Sequence, residues 1–187
     1  MVPQQKMHCA RISTGLPQNE RLHMRHATPK PTSQILVYEP GISDRAALDM
    51  DTFEEMFLTV ARQIITTFDE PDTQCWMSAF MEAEARFPPP FGATIAHAIV
   101  VIVNVLREER SSAFSYIRHD DPADVLFITP EERYLLLTLR EVRQNNGFRA
   151  RMNAMLACEG GDAARLLAAI ERLGIITGDV GSPEFQP

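Results

Sequence analysis

The sequence predicts an all-α protein, a single-domain bundle of six or seven helices behind a disordered basic N-terminal tail. Three observations carry this expectation. Apolar residues recur at helical spacing through most of residues 51–177. Two stretches open with helix-capping signals, and prolines and glycines interrupt the periodic runs at helix-length intervals. The one β-prone run, Ile35 to Tyr38, is too isolated to found a sheet.

Residues 1–34 hold Lys6, Arg11, Arg21, Arg25 and Lys30 against Glu20, a charge of +4, with Pro3, Pro17, Pro29 and Pro31 and little apolar periodicity. They read as a flexible tail. The composition superficially resembles a mitochondrial transit peptide, and a translated leader before a start at Met50 is another reading of residues 1–49. Residues 35–50 are expected to form an arm packed on the body.

Asp51 and Glu54 have capping-box spacing, and Phe53, Met56, Phe57, Val60, Ala61, Ile64 and Phe68 then trace one helical face. Pro71 and Asp72 break that helix and start a second, in which Trp76, Ala79, Phe80, Ala83 and Phe87 repeat until Pro88, Pro89 and Pro90. The apolar stretch from Phe91 to Leu106 is too long for a strand and reads as a buried central helix. A less regular helix is expected over Ser112 to Arg118, followed by a turn at His119, Asp120, Asp121 and Pro122.

Thr129, Pro130, Glu131 and Glu132 combine an N-cap hydroxyl, a proline at the first helical position and a capping-box glutamate. This helix should end at Asn146 and Gly147. A short helix with Phe148, Met152, Met155 and Leu156 follows. Gly160, Gly161 and Asp162 then start a last one with Leu166, Leu167, Ile170 and Leu173, closed by Gly174, leaving residues 178–187 as a loose end. No internal repeat is evident by eye.

Charge and motifs narrow the function. The chain carries a net −7, and residues 35–187 account for 13 arginines, no lysine and 24 acids, or −11. An acidic body disfavours non-specific binding of nucleic acid or an acidic membrane. Cys9, Cys75 and Cys158 are widely spaced and odd in number, which suits reduced thiols in a cytoplasm better than a disulfide framework. The sequence has no GxGxxG, P-loop, GxSxG or HExxH motif, so no cofactor or metal is expected and catalysis is not favoured. His8, Cys9, His23 and His26 match no zinc spacing, and His119, Asp120 and Asp121 read as a solvated turn.

Two constellations remain. Arg140, Arg143, Arg149 and Arg151 stand against Glu141 alone, a local +3, and read either as a solvated or ion-paired face or as a candidate binding surface for an acidic protein, phosphate or nucleic acid. His97 and Asn104, seven residues apart on the apolar central helix, read either as a satisfied core histidine and a buried, bonded amide or as a candidate pocket. The nine methionines read mainly as core filler, with adaptable association as their other use. The expected function is a small cytoplasmic interaction or regulatory module without catalytic activity, contacting a protein partner or itself as a homodimer. A DNA-binding regulator using the C-terminal helical hairpins is the alternative, and an enzyme or small-ligand binder around His97 and Asn104 is the second.

Overall fold

A computed structural model describes residues 43–118 and 126–180. It is all-α: helices α1 (Thr52–Asp69), α2 (Cys75–Arg86), α3 (Phe91–Glu109), α4 (Pro130–Arg143), α5 (Gly147–Ala157) and α6 (Ala163–Val180). The strands β1 (Ser43–Asp44) and β2 (Phe127–Ile128) pair antiparallel, Ser43 with Ile128 and Asp44 with Phe127.

Both capping signals form. The Glu54 N–H donates to Asp51 Oδ1 at 2.8 Å and the Asp51 N–H to Glu54 Oε2 at 3.3 Å. At the start of α4 the Glu132 N–H donates to Thr129 Oγ1 at 3.2 Å and the Thr129 N–H to Glu132 Oε2 at 2.9 Å. Each exchange satisfies two backbone donors that a helix start otherwise leaves open. α3 packs on α1, α2 and α6, and Ile95, Ile99, Ile102 and Leu106 are buried. Burying each contributes about 1.5–3 kcal/mol. By length and composition alone α3 would pass for a membrane-spanning segment, yet here these residues form the core.

The helices fall into two like triplets, a repeat that the sequence hides. Each half runs strand, long helix, short helix, long helix. In the first, α1 packs on α2 and α3, and α2 on α3; in the second, α4 packs on α5 and α6, and α5 on α6. The halves meet like on like, β1 on β2, α1 on α4 and α3 on α6.

The meeting of α1 and α4 is reciprocal at the level of side chains. Arg62 of α1 grips the capping glutamate of α4, with Nε to Glu132 Oε1 at 2.7 Å and Nη2 to Oε2 at 2.9 Å. Arg140 of α4 grips the capping glutamate of α1, with Nε to Glu54 Oε1 at 2.9 Å and Nη2 to Oε2 at 2.6 Å. Glutamate and arginine stand eight residues apart in both helices.

Four expectations need correction. Residues Ser112 to Arg118 are not helical, because their amides have other acceptors: Glu159 Oε2 takes the Ser111 and Ser112 N–H groups, and Glu132 Oε1 takes that of Ile117. Gly174 does not close α6, which continues to Val180; a glycine without a following proline costs a helix only about 1 kcal/mol. The left-handed residue after α4 is Asn145, with φ 56°, while Asn146 caps α5 and Gly147 begins it. A two-residue ladder exists where no sheet was expected. Residues 1–34, the Ile35–Tyr38 run, His119 to Asp121 and residues 181–187 lie outside the described residues.

Candidate interaction surface

α5 is amphipathic the wrong way round for a core helix. The residues that it buries are small: Ala150, Ala154 and Ala157. Their size permits close packing on α4, and the large apolar side chains are left on the other face. Phe148 is 78% exposed, Met152 47%, Met155 43% and Leu156 50%. Spaced at i, i+4, i+7 and i+8, these four make a continuous outward stripe. Isolated exposed apolar residues need no explanation, whereas a contiguous stripe does.

α2 repeats the pattern in the other half. It buries Cys75, Ala79 and Ala83 and exposes Trp76, Met77 and Met81. Laying the buried alanines Ala79 and Ala83 on Ala150 and Ala154 brings Met77 onto Phe148, Met81 onto Met152, Glu84 onto Met155 and Ala85 onto Leu156. The methionine stripes expected as core filler are thus largely surface, although Met56 is fully buried.

The two faces differ in charge. No acidic residue occurs from Gln144 to Cys158, and α5 carries Arg149 and Arg151. The Arg149 side chain is 71% exposed, with Glu141 3.9 Å away. Arg151 is exposed and has no ion pair among the described residues. On α2, Glu84 is exposed and likewise unpaired, while Glu82 pairs with Arg86 at 3.0 Å.

The four arginines singled out from the sequence do not converge. Arg140 and Arg143 are engaged by α1: besides Glu54, Arg140 reaches the Leu48 carbonyl at 2.9 Å, and Arg143 pairs with Asp51 at 2.6 Å. Burial pushes the Asp51 carboxyl up, but the Glu54 amide and the Arg143 guanidinium outweigh it and hold the group below its ordinary value. Arg149 and Arg151 alone remain for a partner. This leaves a nucleic-acid surface with few free cations, since affinity for a polyanion rests on the number of phosphates neutralised.

The expected pocket is also corrected. His97 and Asn104 share a face of α3, but that face is exposed, and the Asn104 amide donates to Glu108 Oε1 at 2.8 Å. Neither residue lines the cavity between the C-terminal ends of α1 and α3 or the one beside Thr52, Phe53 and Phe87. Among the described residues no cluster of His, Cys, Asp and Glu could hold a metal ion. Cys75 and Cys158 are buried, and burial, with Glu109 nearby, pushes the Cys158 thiol up to about 11. A thiol so protonated is a poor nucleophile.

Sequence reasoning missed the inverted faces because apolar periodicity marks a stripe without saying which side is inside. The available signal was residue size: three alanines at i, i+4 and i+7 opposite four bulky residues. Comparison of the chain with family models, curated proteins and solved structures finds no match.

Proposed function

We propose that this chain is a helical interaction module that works by association, without catalytic chemistry of its own, and that its partner is a second copy of itself. The observation that carries the reading is the α5 face, on which Phe148, Met152, Met155 and Leu156 lie exposed while alanines are buried. A second copy suits this face because the chain also supplies a complement. α2 offers a matching apolar stripe edged by Glu84, opposite in charge to Arg149 and Arg151. Apolar area provides the affinity of such a contact, and the charges at its edge set its register. A two-fold dimer that pairs α5 with the partner's α2 buries both faces twice and closes the assembly. Three widely spaced cysteines, odd in number, fit a reducing compartment such as the cytoplasm, and a regulatory role fits a chain whose activity is association.

Light scattering coupled to size exclusion tests this on the full chain at low and high salt. The expected result is a dimer that persists at high salt and is reduced to monomer by Phe148→Ser with Met152→Ser. The single tryptophan, Trp76, should shift its emission to the blue on association. A wild-type monomer at every concentration would overturn self-association, and a dimer unaffected by the double substitution would remove α5 from the contact.

A further inference from the structure

Of the six methionines among the described residues, only Met56 is fully buried, and Met50 is half-buried against the core. The other four lie on the two faces proposed to meet: Met77 (43% exposed) and Met81 (47%) on α2, Met152 (47%) and Met155 (43%) on α5. In the core the bundle fills positions of this size mainly with leucine and isoleucine, such as Ile99, Leu135, Leu139 and Leu166. The most exposed of the described thioethers are thus gathered on one pair of surfaces.

The thiols are placed the opposite way. Cys75 and Cys158 are buried, and the Cys158 thiol is held protonated, whereas peroxides attack the thiolate. A thioether carries no proton to lose, so its oxidation follows exposure.

We infer that Met77, Met81, Met152 and Met155 are sites of reversible oxidation by hydroperoxides and that their sulfoxides switch off association, a switch that presupposes the self-associating reading of these faces. In each step the Sδ lone pair takes one oxygen of hydrogen peroxide, the O–O bond breaks, and the proton on the transferred oxygen leaves with the other as water. Sulfur loses two electrons and the peroxide gains them. The product is a strongly polar group in place of an apolar one. Bringing that oxygen against Phe148 and Leu156 strips its water, which opposes association. A partner that covers the four sulfurs also shields them, so peroxide acts on the dissociated chain and each oxidised chain is withdrawn from the equilibrium. Sulfoxide reductases return the thioether.

The test treats the full chain with hydrogen peroxide, removes the excess with catalase and adds dithiothreitol, which reverses disulfides and sulfenic acids but leaves sulfoxides. Light scattering coupled to size exclusion then reads the assembly, and peptide mass spectrometry locates the added oxygens. Expected is an untreated dimer, and a treated chain that carries oxygen at the four exposed methionines before Met56, with a dissociation constant raised by roughly tenfold or more. Methionine sulfoxide reductases for both epimers should restore the dimer. A variant combining Met77→Leu, Met81→Leu, Met152→Leu and Met155→Leu, each conserving volume, should dimerise and ignore peroxide. An untreated dimer that survives with all four positions oxidised, oxygens confined to other methionines, dissociation that the reductases do not reverse, or a leucine variant that loses its dimer to peroxide as the wild type does would each overturn the switch while self-association stood. An untreated monomer would overturn both.

Discussion

Arg62 shows how a charge can be kept inside a small helical protein. It is 1% exposed, and besides its two bonds to Glu132 it donates to the Phe127 carbonyl at 2.8 Å. Glu132 accepts from Arg62, Thr129 and Ile117, so the carboxylate is met from every side. Removing one partner strands the other in a dry interior. Arg62→Met should therefore destabilise by about 3–5 kcal/mol in chemical denaturation, and adding Glu132→Gln, which removes the stranded charge while keeping an acceptor for the Thr129 and Ile117 N–H groups, should recover part of that loss. Glu159 makes a different prediction, because it is held by solvent-facing bonds from Ser112, Ser111 and Arg110 that lower its pKa from 4.5 to about 2. A depressed folded-state value means that the stabilisation is complete above the unfolded pKa and is lost as pH falls through the folded one. The stability difference between wild type and Glu159→Gln should thus be constant above pH 4.5 and vanish toward pH 2.

Among the helices, glycine separates packing from propensity. Gly92, near the start of α3, has no room for a side chain: a Cβ there would lie 2.6 Å from the backbone Cα of Glu84 in α2. Gly174 lies within α6 with nothing near its missing Cβ. Gly92→Ala should cost about 1–3 kcal/mol by forcing α2 and α3 apart, whereas Gly174→Ala should stabilise by about 0.5–1 kcal/mol. Thermal unfolding of the two variants reads both signs directly. The same contrast explains what sequence could reveal. Capping at Asp51 and Thr129 was legible because its signals lie within four residues, and α3 because its length excluded a strand. Gly174 was misread because a glycine has the same letter whether it ends a helix or merely weakens it. His97 and Asn104 were correctly placed on one face, but in a helix this apolar, two polar residues do not say whether that face lines a pocket or meets solvent.

Long-range pairing is where the sequence was least readable. The partners of Arg140 and Arg143 lie on α1, far outside any local window, so a cluster of four like charges looked like one surface. The structural repeat was hidden for a related reason. Its two halves keep element order, burial and the glutamate–arginine pair but few identities, and the link from α1 to α2 is longer than that from α4 to α5. Because α3 and α6 share the core and α1 and α4 exchange arginines, the halves should not melt separately. Trp76 fluorescence, which reports the first half, and far-UV circular dichroism, which reports both, should give the same denaturation midpoint. Two resolved transitions would mean that each triplet folds alone.

The reciprocal grip also sets a direction for its own evolution. In an ordinary ion pair the two charges can trade places, since attraction does not depend on which side holds the acid. Here each glutamate also accepts the backbone N–H that opens its own helix, and an arginine has no acceptor to offer in its place. Transposing Arg62 and Glu132 would restore the attraction while leaving the start of α4 uncapped. Sequences that keep this architecture are therefore free to vary the residues between acid and base, but not to exchange the two.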